Sequence, residues 1–147
     1  MSKLPQYPLA SVPLPPDSPA RESWSPQRWV VLGATGFIGS ATVRHLAAQG
    51  ADVLPLSAPR VELSPQTNDG EQVAALAEGH PEAARLAEEL SGVDVVINAA
   101  GMATPDDRAS SALYGADSLL PAIVAIAAIR AKVGRFIHLS SAAVQGN

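Results

Sequence analysis

The 147-residue chain contains no cysteine. That excludes disulfides, zinc–thiolate centres and thiol catalysis, and it is compatible with a reducing cytoplasm, the expected location. Aromatic residues are scarce, with two each of Trp, Tyr and Phe, although 47% of the chain is hydrophobic. The core must therefore be Ala, Val, Leu and Ile, a mixture suited to a sheet covered by alanine-rich helices. Basic residues are outnumbered, 10 Lys and Arg against 14 Asp and Glu, for a net charge of −4. No basic stripe is available to neutralise a nucleic-acid backbone, and no nucleic-acid partner is expected. A small anion held by backbone N–H groups needs no net charge and stays open. No uninterrupted apolar run approaches the roughly 18 residues of a membrane span, so no membrane partner is expected. The N-terminus also lacks the apolar stretch of a signal peptide.

What is present is unevenly distributed. Residues 1–27, MSKLPQYPLASVPLPPDSPARESWSPQ, hold seven of the thirteen prolines. Proline removes backbone donors and favours extended structure, so this segment is expected to be a disordered or loosely adherent arm. PLPP and PPDSP have the composition of a PxxP ligand, and an unselected leader is the plainer alternative. The remainder, 28–147, has room for one domain with a real core.

Order begins at RWVVLGATGFIGSATVRHLAAQGADVLPL. WVVL (Trp29 to Leu32) is a short continuous apolar run, as expected of a strand buried on both faces. A helical pattern follows with Ile38, Ala41, Leu46 and Ala47 on its apolar side, and Gly50 lies just past it as a cap. ADVLPL then reads as a second strand, completing a β–α–β unit. VDVVINAAG (Val93 to Gly101) and RFIHLS (Arg135 to Ser140) are two further strands. Each follows an alanine-rich helical stretch, about Glu71–Leu90 and Ser111–Lys132. RVEL (Arg60 to Leu63) reads as a possible short extra strand. Alternating helices and buried-type strands give an α/β fold with a parallel sheet.

GATGFIG places Gly33, Gly36 and Gly39 between the first strand and its helix. Gly33 permits the tight turn, Gly36 lets a pyrophosphate approach the backbone without a Cβ in the way, and Gly39 lets the helix pack on the strand. The helix start then offers unpaired N–H groups and a positive dipole end to the phosphates. Strand before, helix after and a second strand beyond make the glycine spacing informative.

GATGFIG with its GxxGxxG spacing, VDVVINAAG and RFIHLSSAAVQG occur in an order and spacing that resemble the extended short-chain dehydrogenase/reductase group, the NAD(P)-dependent epimerase/dehydratase family. The resemblance covers about residues 28–147. It implies a Rossmann-type doubly wound parallel sheet, here truncated after the strand ending near Ser140. It further implies a dinucleotide site at Gly33, Thr35, Gly36, Phe37, Ile38 and Gly39. Ala99, Ala100 and Gly101 would line the nicotinamide–ribose side, their small side chains leaving room for a cofactor; close helix–sheet packing is compatible with the same residues.

Enzymes that prefer NAD usually carry an acidic residue at the end of the second strand, bonded to the ribose 2′-hydroxyl. That position falls near Ser57, with Arg60 three residues on. No carboxylate there repels a 2′-phosphate and a guanidinium is near to pair with one, which favours NADP over NAD. Arg60 as a solvated loop residue is the alternative. Glu62-Leu63 could correspond to the family's acidic–apolar pair that holds adenine.

By the same resemblance Ser141 is the hydroxyl that orients the substrate, with Ser140 at the strand end. The family's Tyr-x-x-x-Lys pair should follow about two dozen residues later, with the Tyr as general acid/base. The only tyrosines, Tyr7 and Tyr114, have Ser11 and Ser118 four residues on. An unassisted Ser is a very poor proton carrier near neutrality. Alternation along RFIHLSS puts His138 and Ser141 on opposite faces, so His138 reads as a strand residue satisfied by packing. His45 and His80 have no ligand-like spacing. Asp117 stands where the family usually has Asn, in a helix that Pro121 should kink by withholding a donor from the Asp117 carbonyl. Gln145 replaces a Tyr common in the family.

The expectation is thus the NAD(P)-binding N-terminal part of an epimerase, dehydratase or reductase acting by hydride transfer, on a nucleotide-sugar or related hydroxyl or carbonyl substrate. Lacking the Tyr and Lys, the chain should not turn over, and a small-molecule substrate is expected only with a C-terminal part supplied. The uncovered sheet face could support association. The alternative is a stand-alone non-catalytic dinucleotide-binding or regulatory module.

Overall fold

Val30, Val31 and Leu32 have no exposed surface, and consecutive apolar residues hidden on both faces of a strand require layers above and below it. The computed structural model, which describes residues 27–67, 69–102 and 110–140, supplies both layers. β1 (Arg28–Leu32), β2 (Asp52–Leu56), β3 (Val95–Asn98) and β4 (Arg135–His138) form a parallel sheet of order β2–β1–β3–β4. Leu32 lies beside Leu56 on one side and Asn98 on the other. The chain leaves β1 toward one edge and returns to its opposite side. This reversal opens a crevice between the ends of β1 and β3, as the Rossmann-type reading requires. The expected proline-rich arm, apart from Gln27, lies outside the described residues.

Helix α1 (Phe37–Ala48) covers one face, where Val31, Val95 and Ile97 form a small core with Val43 and Leu46 packed against it. The expected apolar side of α1 is corrected by the structure. Ile38 is 56% exposed, and Ala41 and Ala47 lie at the surface. Gly39 decides the rotation, because a Cβ there would overlap the Gly33 carbonyl oxygen and lie 2.8 Å from its carbon. The helix rests on its glycine, and Val43 and Leu46, four and seven residues on, share that face. Gly50 ends the helix as read, at φ 78°, with its N–H donating to the Ala47 carbonyl at 3.0 Å.

The other face carries α2 (Gly70–Glu78), α3 (Pro81–Glu89), α4 (Ser111–Tyr114) and α5 (Leu120–Arg130). The expected single helix over Glu71–Leu90 is two helices. Pro81 pushes His80 into extended backbone at ψ 134°, and His80 becomes the cap of α3, its Nδ1 accepting from the Glu82 N–H at 3.2 Å. Asp69 caps α2 in the same way through the Glu71 N–H at 3.0 Å.

The expected kink in the next helix takes the form of a π-helical turn, Gly115–Leu119, between α4 and α5. The Leu120 N–H reaches back five residues to the Gly115 carbonyl, and Pro121, at the start of α5, has no donor to offer Asp117. Ser111–Arg130 is, by length and a hydropathy of 1.8, apolar enough to cross a membrane. A search for uninterrupted runs misses it because Asp117 and Ser118 interrupt it. Its Leu119, Leu120, Ile123, Val124, Ala127 and Ala128 are buried in the main core, which makes it a core helix of this sheet.

RVEL is not a strand. Val61 and Leu63 are buried, with Glu62 exposed between them. The Leu63 N–H donates to the Ser111 carbonyl at 2.9 Å, so the extended segment bonds to the first residue of α4 and not to the sheet edge.

Candidate functional site

The glycine loop leaves β1 at the crevice. Gly33 has φ 79°, left-handed backbone that favours glycine, and its N–H donates to the Leu56 carbonyl at 3.0 Å. A Cβ there would lie 2.7 Å from the Ala100 nitrogen. The loop is therefore pressed against the segment leaving β3. Gly36 caps α1 without a side chain to bond its first N–H groups, and the first turn contains no acidic residue. Those donors have no preceding turn of carbonyls to bond, and the positive end of the helix adds to their pull on an anion. Among the described residues a Cβ on Gly36 would meet only the Gly33 carbonyl oxygen, at 3.3 Å. The space beyond Gly36 is open, which is the requirement for a phosphate group to come against backbone. Phe37, 93% exposed, and Ile38 flank this opening, and Thr35 is exposed beside it.

The facing wall is Ala99, Ala100 and Gly101. The Ala99 N–H donates to the Leu32 carbonyl at 2.9 Å. Asn98, wholly buried, accepts from the Ala100 N–H at 3.1 Å through Oδ1. Its Nδ2 lies 3.2 Å from His138 Nδ1. Because Oδ1 is the acceptor, Nδ2 must donate, so the His138 Nδ1 receives the bond and carries no proton. His138 also stacks on Phe136, with ring centroids 6.5 Å apart, yet it stays exposed at the end of the edge strand β4. At the end of the wall the Met102 N–H donates to Asp117 Oδ1 at 3.0 Å.

Asn98 was missed as a site residue, although a lone amide inside the apolar VVINAA is a visible signal. It holds β3 and β4 together at the mouth and orients the Ala100 N–H. Asn98→Ala strands that N–H and leaves a void, and is expected to cost about 2 kcal/mol in chemical denaturation. A loss below about 0.5 kcal/mol would show that water replaces the amide without penalty.

Ser57 follows β2 directly and is exposed, as is Arg60. Neither makes a side-chain hydrogen bond or ion pair among the described residues. The structure thus joins the glycine loop to Ala99–Gly101 and leaves Ser57 and Arg60 on the β2 side of the crevice, free to turn toward a ligand. Ser141 and Gln145 lie outside the described residues.

Residues 29–147 match the model of the NAD dependent epimerase/dehydratase family. The chain belongs to that family. No curated protein matches it. Among solved structures, it is similar to a UDP-glucose-4-epimerase from Stenotrophomonas maltophila with bound NAD and formylated UDP-arabinopyranose. That match has 20% identity and a TM-score of 0.59, covering 82% of this chain and 39% of that one. A dTDP-glucose 4,6-dehydratase double mutant from Streptomyces venezuelae, with NAD and DAU bound, is 26% identical, at TM-score 0.57, over 78% of this chain and 39% of its own. MoeE5 in complex with UDP-glucose and NAD is 24% identical, at TM-score 0.58, over 82% and 38%. The epimerase/dehydratase chain described here therefore spans about two fifths of the length of the structures it resembles.

Proposed function

We propose that this chain binds a nicotinamide dinucleotide and is the cofactor-binding N-terminal part of an enzyme that transfers hydride on a nucleotide-sugar or related hydroxyl or carbonyl substrate. The observation that carries the reading is the open, side-chain-free approach at Gly36, on the N-terminus of α1, beside the crevice between β1 and β3. Such a crevice is where open α/β sheets take their ligands, with the pyrophosphate at the first helix. Support for the ligand class comes from the family and from neighbours solved with NAD and nucleotide-sugars.

When bound, the cofactor would supply hydride acceptance and return. The protein's part is to hold and orient it. Backbone N–H groups from Phe37 to Gly39 would take the pyrophosphate, the Gly36 N–H being bonded to the Gly33 carbonyl at 3.0 Å, and Ala99 to Gly101 would leave space for the nicotinamide ribose. Ser57 and Arg60 would face the adenosine ribose from the end of β2. With no carboxylate at Ser57 and a guanidinium within three residues, the site favours a 2′-phosphate. Calorimetric titration with NAD and NADP tests both levels. NADP is expected to bind more tightly, and Arg60→Ala to weaken NADP about tenfold, the worth of one charge-assisted contact, while leaving NAD nearly unchanged. Equal weakening of both would remove Arg60 as a phosphate reader, and binding of neither would overturn the cofactor assignment.

A further inference from the structure

The π-helical turn brings one carboxylate to the wall that the glycine loop faces. Its first residue, Gly115, presses on the 61–62 backbone: a Cβ there would overlap the Val61 carbonyl oxygen and lie 2.8 Å from Glu62 Cα. Two residues on, Asp117 Oδ1 accepts from the Met102 N–H at 3.0 Å, and a Cβ on Gly101 would stand 3.2 Å from the same oxygen. Asp117 Oδ2 has no protein partner among the described residues. The exposed Asp117 carboxylate is thus held beside Gly101–Met102 through one oxygen, on a turn packed closely against the 61–62 backbone, with the other oxygen uncommitted among the described residues.

In a doubly wound sheet the two halves of a dinucleotide lie on either side of the switch point. The adenosine half belongs over β2, and the nicotinamide half over β3 and β4, where Asp117 is held. The oxidised nicotinamide ring carries a positive charge and the reduced ring does not. A fixed negative group at that end of the crevice attracts the first and is indifferent to the second.

We propose that Asp117 makes this site discriminate between redox states, favouring the oxidised dinucleotide over the reduced one. This inference rests on the cofactor reading above. Asp117→Asn is the decisive variant, since the amide keeps an oxygen to accept from Met102 and removes only the charge. Dissociation constants for the oxidised and reduced forms of the tighter cofactor are measured on the full chain, the reduced form by its fluorescence and the oxidised form by competition. The oxidised form is expected to weaken about fivefold in Asp117→Asn and the reduced form less than twofold, a contrast that shrinks in high salt as screening replaces the field. Asp117→Ala, which also frees the Met102 N–H, should weaken both forms. An unchanged ratio of the two constants in Asp117→Asn overturns the redox discrimination while leaving dinucleotide binding intact. If the unaltered chain binds neither form, the cofactor reading itself fails.

Discussion

Replacing Gly115 by alanine is expected to destabilise the fold by about 3 kcal/mol, the upper end of what overpacking usually costs. One added carbon would overlap the Val61 carbonyl oxygen and lie 2.5 Å from the carbonyl carbon. The three nearest atoms are all backbone, and the segment they belong to is pinned by buried Val61 and Leu63 and by the Leu63 to Ser111 hydrogen bond. No side chain can rotate away to relieve the contact. A domain of this size melts about 10 °C lower for such a loss, which thermal and denaturant unfolding would both register. Gly79→Ala is the control, because its Cβ would meet only the Ala75 carbonyl oxygen at an ordinary 3.8 Å. If the two variants melt together, segment 61–62 is not packed on the helix as described.

Gly36→Val should do the opposite, sparing the fold and abolishing the ligand. Among the described residues its Cβ has a single neighbour, the Gly33 carbonyl oxygen at 3.3 Å, and otherwise enters open space. The branched side chain then occupies the approach to the helix N-terminus. Loss of two or three phosphate hydrogen bonds is worth about 3 kcal/mol, or roughly a hundredfold in affinity for NAD and NADP alike. The folded fraction, followed by circular dichroism, should change little. A folded variant with unaltered affinity would move the pyrophosphate away from this loop.

These two glycines also mark what could be read from residue order. The loop at 33–39 was legible because each glycine answers a local demand of a strand–turn–helix unit, and the structure keeps the roles apart as expected: left-handed backbone at Gly33, open space at Gly36, close packing at Gly39. Gly115 was not legible, because the backbone it touches lies more than fifty positions earlier and nothing in LYGAD announces it. The π-turn had a partial signal in Pro121, which foretells a missing donor but not how the helix absorbs it. The division between α2 and α3 is signalled by Gly-His-Pro at 79–81, but the alanine pattern runs straight through it. Hydrophobicity places Ile38, Ala41 and Ala47 inward, yet a glycine, with no side chain to bury, sets the inner face of α1. RVEL satisfies strand composition but finds its hydrogen-bond partner at the first residue of a helix.

The two faces of the sheet are unequally secured. Among the described residues, sixteen buried side chains unite the sheet with α2, the π-turn, α3 and α5, against three on the face of α1, whose only buried residue is Gly39. Proteins open locally where buried apolar contact is sparse, at a free energy below that of global unfolding. Detachment of α1 is then a cheaper excursion than opening the α5 side, and it would dismantle the glycine loop. A dinucleotide bound there recognises only the docked helix, so at a hundred times its dissociation constant it would oppose that opening by about 2.7 kcal/mol. Amide exchange and proteolytic nicking along α1 would thus follow cofactor supply, while the α5 side of the molecule would keep its own pace.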